Sequence, residues 1–276
     1  MSAGSSPSVM SEEVARFDAL GDAWWDPDGP MAPLHRLNPV RIGWARDLIA
    51  RHFKVEAPAG APLAGFSLLD IGCGAGLFAE PLSRLGADVF GIDPAPAAID
   101  AARRHAEDTG ARLTYRATSV EELAAEPRQF DVVSVMEVIE HTADPKAFII
   151  AAASLVRPGG LLLASTLNRT LKSFALAIVG AEYMLRWLEP GTHHWEQFVT
   201  PIELTGFAHA AGLTRASLRG VVYDPFRPLW RLSDDTGVNY LFAATKPDSD
   251  WKHQGRRNAA ERIGATDGIT ESRASL

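Results

Sequence analysis

The sequence predicts an α/β fold, doubly wound on a mostly parallel, seven-stranded sheet, and three observations carry that expectation. The apolar run Leu68-Leu69-Asp70-Ile71 ends in Gly72-Cys73-Gly74-Ala75-Gly76, and a helix-like segment, Leu77 to Leu85, follows. A second apolar run, Val89-Phe90-Gly91-Ile92, ends in Asp93, as the next strand would. Strand-like and helix-like patterns then alternate as far as residue 166, the pattern of parallel strands joined by crossover helices.

Taken in order, residues 1–10 are Ser/Gly/Pro-rich and read as disordered. Ser11 caps a helix with Glu12 and Glu13 in its first turn and Val14, Phe17 and Leu20 on one face. Trp24-Trp25-Asp26-Pro27 is a turn, and Pro33 to Arg41 leads into a helix ending near Phe53. Residues 11–62 thus read as an N-terminal helical cap, closed by a linker with Pro58, Gly60 and Pro62, and the main domain spans 63–247. Its expected elements are strand Ser67–Ile71, helix Leu77–Leu85, strand Asp88–Ile92, helix Ala97–Thr109 and strands Leu113–Arg116 and Phe130–Met136. Helix Asp144–Val156 follows, then a structural turn at Arg157-Pro158-Gly159-Gly160 and strand Leu161–Thr166. Residues 168–194 insert far more chain than a connection needs. Thr200 caps a helix over Pro201–Ala211, and strands Leu213–Val222 and Tyr240–Thr245 close the sheet edge as a hairpin-like pair. The tail, 248–276, is polar and charge-mixed and is expected to be disordered.

The glycine turn is the first candidate site. Gly72, Gly74 and Gly76 can take positive φ and carry no Cβ, so backbone can approach a ligand at a helix N-terminus. A dinucleotide fingerprint, G-x-G-x-x-G, needs its third glycine where Leu77 stands, which disfavours a nicotinamide oxidoreductase. Here the motif is G-x-G-x-G with an acid in front. Asp70 is placed to fix the turn's amides, and Asp93 to accept both hydroxyls of a ribose, so these residues together predict an adenosine site. Ser119 and Val120, at the end of the third strand, line the adenine slot, and Met136 ends the strand that opens onto the same crevice. Cys73 is the single cysteine; it forms no internal disulfide and packs against the turn.

Composition narrows the class. With 276 residues, 46% hydrophobic and 22% charged, the chain can bury one substantial core plus appendages. A formal charge of −7 argues against nucleic acid as a partner, because phosphate binding needs a concentrated basic surface. No long uncharged apolar run is present, and residues 1–10 carry neither a secretory nor a transit pattern, so a bacterial-type cytoplasmic location is expected.

The D-I-G-C-G-A-G turn followed by G-I-D resembles motifs I and II of class I S-adenosylmethionine-dependent methyltransferases, which implies a Rossmann-like sheet and S-adenosylmethionine as cofactor. The stretch Phe17-Asp18-Ala19-Leu20, Trp24-Trp25-Asp26-Pro27, then Leu34-His35-Arg36-Leu37-Asn38-Pro39-Val40-Arg41, resembles the ubiquinone-biosynthesis O-methyltransferases more specifically. Ser165-Thr166-Leu167-Asn168-Arg169 and Gly180-Ala181-Glu182-Tyr183 extend the likeness. It implies methylation of polyprenylated catechols at both O-methylation steps, and association with other enzymes of the pathway. Under it, the cap closes over the cofactor and Arg41 meets the methionine carboxylate, which a guanidinium recognises bidentately. A packing role with Arg41 solvated is the alternative. A C- or N-methyltransferase for another small acceptor and a non-catalytic adenosyl-binding scaffold are the rival functions.

Glu137-Val138-Ile139-Glu140-His141 follows an apolar strand at the crevice, where catalysis belongs. If it coils into a helical turn, Glu137, Glu140 and His141 lie on one face and suit a divalent cation, Mg²⁺, Zn²⁺ or Mn²⁺, bridging a catechol. Without metal, His141 is the general base and the acids cap and brace. A G-T-H element recurs in the resembled family, which makes His193 a second base candidate.

The insertion is expected to be a lid or a docking element. Between Leu171 and Leu188, Phe174, Ile178, Leu185 and Trp187 alternate with Lys172 and Arg186, a composition suited to peripheral binding of an anionic membrane surface. Its alternative is core packing.

Overall fold

The computed structural model describes residues 11–54, 60–174, 195–224, 226–227 and 229–248. The described residues up to 246 belong to one compact unit. The disorder expected of residues 1–10 and of the tail falls on residues outside the described ones, apart from position 248.

Among the described residues eight strands form one sheet: β1 Ser67–Ile71, β2 Asp88–Asp93, β3 Thr114–Ala117, β4 Phe130–Met136, β5 Val156–Leu167, β6 Thr214–Asp224, β7 Leu229–Ser233 and β8 Asn239–Thr245. Their order is β3-β2-β1-β4-β5-β8-β6-β7. β1 to β5 pair in parallel, whereas β8 pairs antiparallel with β5 and β6, and β7 with β6. The helices are α1 Ser11–Asp18, α2 Ala32–Phe53, α3 Ala79–Arg84, α4 Pro96–Thr109, α5 Val120–Ala124, α6 Pro145–Ser154, the single turn α7 Leu171–Ser173, and α8 Pro201–Ala210.

Central parallel strands are covered on both faces, so they read as unbroken apolar runs rather than alternating ones. Leu68 and Leu69 therefore enter different cores. Leu68 joins Val132, Leu161 and Leu163 with Trp44, Leu82 and Ile99 on one face. Leu69 joins Val133, Leu162 and Phe148 with Leu204 and Tyr240 on the other. The β1–β4 register, Leu68 beside Val132 and Leu69 beside Val133, keeps each pair on one side.

Several expected boundaries are corrected. The sheet has eight strands, not seven: β7 runs through Leu229 and Arg231, both exposed, so this edge strand lacks the apolar pattern that marks the others. Sequence also put β8 at the edge, but it lies between β5 and β6, which explains why Tyr240 to Ala244 are all buried. The hairpin is β6–β7. α2 begins at Ala32 and runs through Pro39, longer than the proline spacing suggested. α3 begins at Ala79 rather than Leu77. Arg157 to Gly160 lie within β5 instead of forming a turn ahead of it. α5 was not expected; Ser119 and Glu122 form a capping box that starts it.

Candidate active site

The carboxyl ends of β1, β2 and β4 meet at the glycine turn. Gly72, Gly74 and Gly76 have φ of 68°, 52° and 91°. At Gly74 space is as restrictive as conformation, because a Cβ there would stand 2.5 Å from the indole of Trp24. The Gly72 and Cys73 amides donate to the Ile92 carbonyl at 2.8 and 3.0 Å, which locks the turn to the end of β2.

Asp93, not Asp70, fixes the turn's side-chain-held amide. Gly74 N–H donates to Asp93 Oδ2 at 2.9 Å, and Ala95 N–H donates to Oδ1 at 2.8 Å. Each oxygen keeps lone-pair capacity for a further donor. Asp70 instead accepts the Ser134 hydroxyl at 2.7 Å on the neighbouring strand. It lies under the turn, and burial pushes its carboxyl up to about 7. Burial likewise pushes the Cys73 thiol up, so it stays a packing group, as expected.

The N-terminal segment is laid directly on this turn. Trp24 packs with Ala75, Leu77 and Ala101. Trp25 Nε1 donates to the Ala75 carbonyl at 3.0 Å, and its ring stacks on His105 with centroids 3.4 Å apart. From α2, Asn38 Nδ2 donates to the Leu77 carbonyl at 2.9 Å. One turn on, Arg41 is buried; Nε and Nη2 donate to Asn38 Oδ1 at 3.1 and 2.5 Å, and Nη1 stands 3.6 Å from Glu137 Oε1. Arg41 is therefore not the solvated surface residue of the alternative reading.

The segment after β4 does not coil as expected. Glu137 takes φ +56°, in the left-handed region that side chains other than glycine rarely adopt, and only Ile139–His141 form a turn of 3-10 helix. The three side chains take different partners. Glu137 faces Arg41, Glu140 Oε2 accepts the Thr166 hydroxyl at 2.7 Å, and the imidazole of His141 stands edge-on to Phe17. Among the described residues no group of three or more His, Cys, Asp or Glu side chains could hold a metal ion, so Glu137, Glu140 and His141 do not form the expected ligand set. Among the described residues Glu140 Oε1 lacks a hydrogen-bond partner, as does Ser165 Oγ, next in sequence to the Thr166 that binds Glu140; both residues are buried. Burial first and the Glu137 charge second push the Glu140 carboxyl up.

The other expected site residues are divided. Met136 lies buried at the end of β4. Ser119 Oγ accepts the Glu122 amide at 3.2 Å as a helix cap, and Val120 is buried in the core that holds Ile71 and Ile92. His193 lies outside the described residues. Sequence reasoning passed over Asn38, Ser134 and Thr166. Of these only Asn38 left a signal: it stands three residues before Arg41, the spacing that puts two side chains on one helix face.

A methyltransferase domain family matches this chain over residues 41–218. Proteins named ubiquinone biosynthesis O-methyltransferase match nearly end to end. That of Azorhizobium caulinodans is 54% identical over 87% of this chain and 94% of its own. That of Methylocella silvestris is 55% identical over 87% and 95%, and that of Methylobacterium nodulans 53% over 90% and 99%. The chain belongs to the ubiquinone biosynthesis O-methyltransferase family. The resemblance carried by Phe17 to Arg41 and the glycine turn is thereby borne out. Solved structures show the shared fold alone: magnesium protoporphyrin IX methyltransferase from Synechocystis with bound SAM (TM-score 0.57, 15% identical, 87% of this chain and 100% of that one), and the N-methyltransferase NodS from Bradyrhizobium japonicum with S-adenosyl-l-homocysteine (0.52, 19%, 86% and 98%).

Proposed function

We infer that this family member transfers a methyl group from S-adenosylmethionine to a phenolic hydroxyl of polyprenylated catechol precursors of ubiquinone, at both O-methylation steps. One observation carries the cofactor reading: a positive-φ glycine turn, the Asp93 carboxylate and the buried Arg41 cation converge at the carboxyl ends of β1, β2 and β4. A crevice at strand carboxyl ends is where open α/β sheets bind ligands.

S-adenosylmethionine supplies an electrophilic methyl group on a sulfonium. Asp93, already anchored by two amides, accepts the ribose hydroxyls with its remaining lone pairs. Arg41 holds the methionine carboxylate. Gly72, Gly74 and Gly76 admit the ligand's backbone-side approach, Asp70 braces the turn from beneath through Ser134, and Met136 adds apolar surface at the crevice. His141 takes the phenolic proton as general base, held edge-on by Phe17. Burial and the Glu137 charge raise the affinity of the Glu140 carboxyl for a proton. No step is assigned to a cation, since among the described residues no group of three or more His, Cys, Asp or Glu side chains could hold one.

A polyprenyl tail stays in a bilayer, so the enzyme is inferred to work as a peripheral protein on the cytoplasmic face of the membrane. Among the described residues no helix is long and apolar enough to cross one. Leu171 is 82% exposed and Phe174 44%, and both open the segment that carries the expected lipid contact. Lys172, one of the two cations of the expected lipid contact, is paired with Asp235, and residues 175–188 lie outside the described residues.

The test is incubation with methyl-labelled S-adenosylmethionine and a prenylated catechol. O-methylated product is expected; label on carbon or nitrogen, or none, overturns the reading.

A further inference from the structure

We propose that Asn38 is a positioning residue of the cofactor site, its amide bridging the Leu77 carbonyl and the Arg41 guanidinium so that the buried cation keeps its charge and its Nη1 end for a carboxylate. The proposal rests on the reading of Arg41 given above.

The bridge has only one chemically sensible orientation. A guanidinium carries N–H donors and no acceptor, so the group facing Arg41 must be the amide oxygen, and the Nδ2 donor must then face Leu77 O, a pure acceptor. Both contacts are buried, Asn38 being 6% and Arg41 3% exposed. Leu77 directly follows Gly76, so the guanidinium is placed relative to the turn itself and not only relative to its own helix.

Neutrality is the second part of the argument. A carboxylate at position 38 would bind Arg41 more strongly, but it would neutralise the cation in place and would set oxygen against the Leu77 carbonyl. The amide orients without neutralising. Burial already pushes the Arg41 guanidinium down from its ordinary range, and the charges that oppose this are Glu137, Asp70 and Glu140. Asp70 and Glu140 are themselves shifted by burial toward their neutral forms. Among the described residues Glu137 is the one carboxylate near enough to count as an ion pair, yet at 3.6 Å it is beyond hydrogen-bond length, and its Oε1 has no hydrogen-bond partner there. The Nη1 end of Arg41 therefore faces a carboxylate to which it makes no hydrogen bond, so its N–H donors can still serve an incoming carboxylate.

A merely structural Asn38, tying α2 to the turn, would affect every ligand of the turn alike. A positioning Asn38 affects only ligands that carry the amino-acid carboxylate. The experiment is calorimetric titration of the full chain with S-adenosylhomocysteine and, separately, with 5′-methylthioadenosine, which has the same nucleoside and no carboxylate. Wild type, Asn38→Asp, Asn38→Ala and Arg41→Met are compared, with folding checked by circular dichroism. Asn38→Asp and Asn38→Ala are expected to weaken S-adenosylhomocysteine by about tenfold or more and to leave methylthioadenosine within about twofold. Equal weakening of both ligands, unchanged binding of both, or loss of the fold in both Asn38 variants overturns the proposal. If Arg41→Met selectively weakens the carboxylate ligand while neither Asn38 variant does, the proposal fails and the Arg41 reading stands. If Arg41→Met itself leaves the two ligands in their wild-type ratio, that reading fails and the proposal falls with it.

Discussion

The indole of Trp24 covers Gly74 so closely that a methyl group added there would stand 2.5 Å from the ring. An element appended ahead of the sheet thus forms part of the wall of the glycine turn, and cap and turn fit one another.

Gly74→Ala is expected to destabilise the fold by about 1–3 kcal/mol, combining the left-handed φ of 52° with overpacking against Trp24. Urea unfolding reads the loss, and calorimetry should show weaker S-adenosylhomocysteine binding. A variant as stable as wild type would mean that Trp24 moves freely off the turn.

Asp70 gives a stability prediction with a definite sign. Its folded-state pKa of about 7 lies above the unfolded value of about 3.9, so the folded protein binds the extra proton between them. The associated stability is present below the unfolded value and is lost as pH rises through 7. Asp70→Asn keeps the acceptor for Ser134 and removes the titration. Relative to wild type it should gain on the order of a few kcal/mol between about pH 4 and about pH 8. A stability difference that is flat with pH contradicts this.

His141→Gln is expected to lower kcat by about 10²–10⁴-fold and to flatten the rising limb of the pH–rate profile, with S-adenosylhomocysteine affinity within about twofold of wild type. A retained rising limb would transfer the base role to another group.

Liposome cosedimentation should rise with the fraction of anionic lipid and fall with salt. Changing Phe174, Ile178 and Trp187 together to Ser should abolish it. Equal sedimentation of that variant would place lipid contact elsewhere.

The sheet was legible because burial dictates composition: Leu68 and Leu69 both had to be apolar once helices covered both faces of β1. The turn was legible because positive φ beside a ligand crevice selects glycine. β7 was not, since an edge strand with Arg231 facing solvent carries no such constraint. Glu137 defeated the helical reading for a different reason. Spacing implies a common face only if the backbone is regular, and a single left-handed residue at the end of β4 removed that condition. That Asp93 and not Asp70 holds the turn's amide was also invisible, because Asp70 is engaged by Ser134 of β4, a neighbour 64 residues away.

The most direct measurement is a crystal structure of the protein with S-adenosylhomocysteine bound. The account predicts the nucleoside across the Gly72–Gly76 turn, ribose hydroxyls within hydrogen-bond length of Asp93, and the carboxylate against the Nη1 end of Arg41 in place of Glu137. A ligand bound away from Asp93, or a carboxylate held by another cation with the Arg41–Glu137 pair intact, would contradict it.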